Sequence, residues 1–177
     1  MSGFTPDSSL DLLFDKDLIS ADVKKQLPED LHVGDWLGSR TVTELLQIRP
    51  LASTDYTRGH LDILSVLTTV SDPGEAAWRS QFNAMRPHSS QSGPQTYYAL
   101  VIVHKPTDKI LATGTVFLER KFLRGLGSVG HIEDIAVSKA AQGKKLGLRV
   151  IQALTHISEL SGCYKTILNC SDDNIRE

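Results

Sequence analysis

The chain has 177 residues, which suits a single domain, and its formal net charge of −2 argues against general nucleic-acid binding through a basic face. No apolar run is long enough to cross a bilayer, and the acidic N-terminus lacks the basic-then-apolar order of a secretory signal. Cys163 and Cys170 fall on opposite-facing positions of one predicted strand, and no group with metal-binding spacing accompanies them. We therefore expect free thiols, no metal and a cytoplasmic location.

The first part of the chain reads as an extension. Residues 1–40 have little sustained periodicity, so the folded domain is expected over residues 41–177. Its first strand is predicted around residues 42–48 and is closed by Pro50.

Two helices are predicted after this strand. In residues 53–70 a Ser/Thr/Asp start precedes periodic apolar residues. The second helix, within residues 72–86, has Asp72 as its cap and Pro73 in its first turn.

The remaining sequence alternates strand and helix signals. The predicted elements are strands 96–105 and 110–122, a strand 131–137 after a glycine-rich connection, a helix 143–161 ended by Gly162, and a last strand 163–170. The order β, α, α, β, β, β, α, β predicts a mixed α/β sheet that is mostly antiparallel, is flanked by helices and has one late crossover helix.

The turn "QGKKLG", Gln142 to Gly147, lies between a predicted strand and a predicted helix. Its glycines let the backbone approach a ligand, and the free N–H groups of a helix start favour an anion. Lys144 and Lys145 add positive charge. A pyrophosphate is one interpretation, and an ordinary structural turn is the other.

The preceding strand "HIEDIAV" carries two adjacent carboxylates, Glu133 and Asp134, which a strand interior rarely does. Alternation predicts Ile132, Asp134 and Ala136 on one face. A carboxylate near an amine binds its ammonium form and accepts its proton. A solvated edge pair is the structural alternative.

Together the two segments resemble the acetyl-coenzyme A motif of the GNAT acyltransferase superfamily, a strand followed by Gln/Arg-x-x-Gly-x-Gly/Ala and a helix. Within it, "IRPL", "VLTTV", "ATGTVFLERKF", "GHIEDIAV" and "GCYKTILNC" look like the eukaryotic members that acetylate glucosamine 6-phosphate. The resemblance implies the GNAT fold and acetyl transfer from acetyl-CoA to that amine, in UDP-N-acetylglucosamine biosynthesis. It covers about residues 48–174.

The resemblance also implies the roles of particular residues. The pantetheine arm is expected to bond the strand backbone like an added strand, and the pyrophosphate to lie on the turn. The implied acetyl-CoA residues are Ile135, Ala136, Val137, Gln142, Gly143, Lys144, Lys145, Leu146, Gly147 and Asn174. The implied acceptor residues are Thr68, Lys121, Arg124, Tyr164 and Lys165, with Glu133 and Asp134 at the amine as catalytic carboxylates.

The family pattern continues past Asn174 with a helix that carries a Phe-Tyr pair and with a final strand, whereas this chain reads "NIRE" and stops. The resemblance implies a homodimer, in which that strand takes part. Two alternatives stay open. One is an acetyl-CoA-binding pseudoenzyme or regulatory module, and the other is a GNAT acetyltransferase for a different amine.

Overall fold

The computed structural model describes residues 4–27, 45–87 and 94–169. One sheet runs in the order β1-β2-β3-β4-β5. Its strands are β1 (Leu46–Pro50), β2 (Tyr97–His104), β3 (Lys109–Arg120), β4 (Ser128–Val137) and β5 (Cys163–Leu168). Neighbours are antiparallel except β4 and β5, which are parallel. The predicted mixed α/β sheet is confirmed.

The helices are α1 (Ala21–Lys25), α2 (His60–Leu64), α3 (Glu75–Ala84), the single turn α4 (Leu123–Leu126) and α5 (Leu146–Leu160). α5 is the predicted crossover between β4 and β5, since a parallel pair needs such a connection. In the part of the chain that is described, no helix has the length and apolar character needed to span a membrane.

Each sheet face has its own apolar cluster. One face packs against α5 and α1, and its buried members include Ile102, Val116, Val150 and Leu154. The other face packs against α2 and α3, and its buried members include Val101, Ile63, Trp78 and Phe82. Burial on both faces explains the nearly continuous apolar run of β2.

Residues 4–27 lie against the domain. Leu13, Ile19 and Val23 are buried in the two clusters, and Leu12 forms a β-bridge with Ala52. The rest of the predicted extension and Val42 of the predicted first strand lie outside the described residues.

The first predicted helix is much shorter than expected. Residues 53–59 form turns, and the chain is helical only from His60 to Leu64. The reason is the buried carboxylate of Asp55. It accepts a hydrogen bond from the backbone N–H of Ala52 and two hydrogen bonds of 2.7 Å from the Arg49 guanidinium. This partner, brought in by β1, holds the segment as turns.

Two other helix starts also differ. α3 begins at Glu75, two residues later than predicted, because Gly74 adopts a positive φ while the Asp72 side chain accepts its N–H. α5 begins at Leu146 rather than at Gly143, because both Gly143 and Lys145 have positive φ. The turn before α5 therefore extends as far as Lys145 and is longer than predicted.

His60 connects α2 to the sheet. Its Nδ1 accepts a 3.2 Å hydrogen bond from Trp78 Nε1, so Nδ1 is unprotonated and the Nε2 proton faces Thr113 Oγ1 at 3.4 Å. The Thr113 hydroxyl in turn donates to the Leu100 carbonyl at 3.0 Å. Burial lowers the pKa of His60 to about 4.

We expect the free energy of unfolding to fall as the pH drops from about 6.5 to 4. In this window the unfolded His60 binds a proton and the folded one does not, so acid favours unfolding, by up to about 3 kcal/mol. Urea unfolding of the parent and of His60→Gln at several pH values measures the effect. The parent should lose more stability across this window, and parallel curves would contradict the prediction.

Candidate active site

The alternation predicted for β4 is wrong. Thr113 pairs with Ala136 and Thr115 with Glu133, so two residues of β4 stand opposite Gly114. This β-bulge shifts the phase of the strand: Ile132 packs on the α5 side and Ala136 in the opposite cluster. Asp134, inside the bulge, is exposed and has φ of 58°. Asp is among the few non-glycine residues that adopt this conformation readily.

Gly114 makes room for the bulge. A Cβ at this position would lie 2.5 Å from both Ile135 Cδ1 and Val150 Cγ1. Ile135 of the bulged strand and Val150 of α5 therefore fill the space that a residue larger than Gly114 would need. A lone glycine inside a strand is the sequence signal of such a close approach.

Among the described residues, the second half of β4 has one edge without a paired strand, called the free edge below. β5 pairs with β4 from Ser128 to Ile132, and its last partner is Leu168. Within the described ranges no strand pairs with residues 133–137 on that side. Their outward backbone groups are thus available to an extended ligand, which would bind as an added strand.

The free edge leads to an open helix start. The turn residues Gln142 to Lys145 are exposed, and the N-cap residue Lys145 makes no side-chain capping hydrogen bond to α5. The first backbone N–H groups of a helix have no intrahelical acceptor, so the start of this 15-residue helix favours an anion. Gly147 lies against Val137, because a Cβ built on it would be 3.5 Å from Val137 Cγ2. The two features are therefore adjacent.

The proposed acceptor side chains Lys165 and Glu133 share one sheet face. The register aligns Glu119, Val129 and Lys165 across β3, β4 and β5. Thr166, next to Lys165, bonds Ser158 of α5, so Lys165 points to the opposite face. Glu133 has the same orientation, since its neighbour Ile132 packs against α5.

Lys121 joins this face through Glu119. Its ammonium forms an ion pair with Glu119, whose other oxygen lies 2.9 Å from His131 Nε2. The hydrogen bond from Lys121, and then the one from His131, lower the pKa of the Glu119 carboxyl. Glu119 is therefore ionised at neutral pH.

The structure describes three further residues that the sequence singles out, Arg124, Tyr164 and Thr68. Arg124, at φ of 56°, lies over the Tyr164 ring with its guanidinium 5.9 Å from the centroid. Thr68 is exposed beyond the end of α2. Asn174 lies outside the described residues.

Two features were missed at the level of sequence. The Glu119–His131 contact joins residues on different strands, and only a strand pairing could have brought them together. Gly114 offered a signal, since a glycine in an apolar strand indicates a bulge or a close approach.

Comparison with known proteins identifies the class. Residues 60–177 match the Acetyltransferase (GNAT) family. The chain thus belongs to the GNAT acetyltransferases, and it has the mixed sheet and crossover helix of that fold.

Its relatives define the branch within that family. It is 38% identical to glucosamine 6-phosphate N-acetyltransferase 1 of Dictyostelium discoideum, over 78% of this chain and 84% of that one. It is 42% identical to the Candida albicans glucosamine 6-phosphate N-acetyltransferase, over 72% and 81%. The crystal structure of the Arabidopsis thaliana enzyme of the same name superposes with a TM-score of 0.68 at 35% identity, over 74% and 86%. The chain belongs to this branch of the family.

Proposed function

We propose that this chain transfers the acetyl group of acetyl-CoA to the amine of D-glucosamine 6-phosphate, giving N-acetyl-D-glucosamine 6-phosphate and CoA. The observation that carries the proposal is the free β4 edge beside the open start of α5, on a sheet whose adjoining face holds carboxylates and lysines. The names of the relatives supply the acceptor.

Acetyl-CoA fits the free edge and the turn. Ile135, Ala136 and Val137 offer backbone groups to the pantetheine arm, and the N–H groups from Leu146 onward face the pyrophosphate. The remaining turn residues of the proposed site are Gln142, Gly143, Lys144, Lys145 and Gly147, and Asn174 is a further proposed contact.

The acceptor is proposed to bind on the neighbouring face. Lys121 and Lys165 attract the phosphate, with Arg124, Tyr164 and Thr68 at the margin. The half-buried Glu133 and the exposed Asp134 lie at the bulge, where they hold the ammonium and accept its proton.

The reaction needs no covalent enzyme intermediate. In a ternary complex the deprotonated amine attacks the thioester carbonyl, the C–N bond forms, the C–S bond breaks, and the CoA sulfur leaves as a thiolate that takes up a proton. The chain contributes positioning and amine deprotonation, and a backbone N–H of the free edge can stabilise the carbonyl oxygen.

The wider setting is also a proposal. We place the reaction in the cytoplasm and in UDP-N-acetylglucosamine biosynthesis, and we propose that two copies form a homodimer. We further propose that residues 41–177 form the catalytic domain and that residues 1–40 extend it.

Product analysis tests the proposed reaction. The chain is incubated with ¹³C-acetyl-CoA and glucosamine 6-phosphate, and the sugar is examined by mass spectrometry and NMR. We expect the label in an amide on the sugar nitrogen. Calorimetric binding of acetyl-CoA with no labelled product would instead support a binding module without turnover.

A change in the turn should weaken acetyl-CoA binding. Gly143 has φ of 76° and open space around its Cβ position. We expect Gly143→Asp to raise the calorimetric Kd of acetyl-CoA about tenfold, because a carboxylate is placed against the pyrophosphate. Gly143→Asn is the matched control, with the same shape and no charge, and it should have a smaller effect. Equal affinities of both variants and the parent for acetyl-CoA would show that the turn does not bind acetyl-CoA.

A further inference from the structure

The Glu119 carboxylate bridges two parts of the sheet face with its two oxygens. One oxygen pairs with the Lys121 ammonium just beyond β3, and the other lies 2.9 Å from His131 Nε2 on β4. Because a carboxylate only accepts hydrogen bonds, His131 Nε2 must carry a proton in this contact.

The His131 ring is itself held in place. It stacks on Phe117 with 4.8 Å between ring centroids and 8° between planes, and Phe117 stacks on Tyr97 at 5.9 Å. Phe117 pairs directly with both residues across the sheet. The ring therefore has a fixed anchor from which Nε2 points to Glu119.

This bridge lies between the two proposed ends of the acceptor. His131 is two residues before Glu133 on the same face of β4, and Glu119 joins it to Lys121. These side chains therefore form a row. It begins at Glu133, the carboxylate proposed for the amine, and ends at Lys121, the ammonium proposed for the phosphate.

We propose that Glu119 and His131 are positioning residues that hold the Lys121 ammonium for the phosphate of the acceptor. The inference rests on the proposed function. Lysine has a flexible four-carbon stem, and a side chain that is ordered before the ligand arrives loses less freedom on binding. An ammonium has three donors, so the contact with Glu119 leaves two for phosphate oxygens.

The bridge contributes little to folding. The Glu119 and Lys121 side chains are 42% and 33% exposed, and exposed ion pairs add little to stability. A purely structural role therefore predicts almost no effect of breaking the bridge, whereas a positioning role predicts a specific change in acceptor kinetics.

The test is a double-mutant cycle of Glu119→Gln and Lys121→Met, read as KM for glucosamine 6-phosphate. We expect Glu119→Gln alone to raise this KM about three- to tenfold, the range for one side chain regaining its rotamers. The KM for acetyl-CoA and the melting temperature should stay unchanged. In the Lys121→Met background Glu119→Gln should add nothing, and with unphosphorylated glucosamine it should have no effect.

Two further variants complete the design. His131→Phe keeps a ring against Phe117 and removes the contact with Glu119, so its KM should change in the same direction. Glu75→Gln breaks an exposed ion pair with Arg79 on α3 and is the matched control, expected to match the parent.

A parent-like KM for Glu119→Gln, or an equal loss in the Lys121→Met background, would overturn the positioning role. Failure of the proposed function gives a different result, because the parent chain itself then shows no phosphate-dependent turnover. In that case the inference is rejected together with the proposed function.

Discussion

Replacing Glu133 with glutamine should lower kcat/KM for glucosamine 6-phosphate by about 10²–10⁴-fold, the usual contribution of a general base. Glu133 is half-buried where β4 begins to bulge, at the start of the free edge. The amide has nearly the same shape but takes no proton from the amine. Steady-state rates of CoA release measure the change, while calorimetry should give an unchanged affinity for acetyl-CoA.

The pH profile distinguishes loss of a base from loss of folding. Without the carboxylate the rate depends on amine that is already deprotonated in solution, so the variant should recover as the pH rises. Glu159→Gln, an exposed change near the end of α5, is the control. A Glu133→Gln variant with parent-like rates would leave Asp134 as the catalytic carboxylate.

The largest effect on stability is expected at Asp55. Its fully buried carboxylate forms two 2.7 Å bonds with the guanidinium of Arg49, which is also buried, and lies 3.4 Å from Arg58. Asp55→Asn removes the close opposite charge of the buried Arg49 and leaves only Asp7, whose carboxylate lies 3.9 Å from Arg49 Nε. We expect the free energy of unfolding to fall by about 3–5 kcal/mol.

Urea unfolding measures this loss as a lower midpoint with an unchanged slope. Glu75→Gln again provides the comparison, because its ion pair with Arg79 is exposed and contributes only about 0.3–0.5 kcal/mol. A loss at Asp55 no larger than the loss at Glu75 would contradict the assignment of this ion pair as the support of the turns in residues 53–59.

The elements best predicted from the sequence are those whose pattern is local. The hairpin of β2 and β3 follows from two apolar runs around a short turn, and α5 follows from its periodic inner side. Their types were correct and their ends shifted by a few residues. Hydrophobic periodicity determines which face is buried, but positive φ at Lys145 decides where α5 begins.

The elements that were predicted wrongly depend on partners in other elements of the fold. Residues 53–59 carry good helix-start residues, yet the bond between Asp55 and Arg49 of β1 holds them as turns. The phase of β4 changes because one extra residue is accommodated opposite Gly114. Neither event leaves a periodic signal, although an inserted residue turns every later side chain to the other face.

The candidate site was predictable to a similar extent. The glycine turn and the adjacent carboxylates Glu133 and Asp134 form local patterns, so their chemistry could be interpreted directly. The free edge of β4 depends on where β5 stops pairing, and the contact of Glu119 with His131 depends on the register of two strands. Only the folded chain brings these features together.

The most direct measurement of the central claim is the rate of CoA release from acetyl-CoA, followed with a thiol reagent, for glucosamine 6-phosphate against unphosphorylated glucosamine. We expect rapid release with the phosphorylated sugar and a much lower kcat/KM without the phosphate, because the proposed phosphate ligands Lys121 and Lys165 then have no partner on the acceptor. Equal rates with both sugars, or no release with either while acetyl-CoA still binds, would contradict this claim.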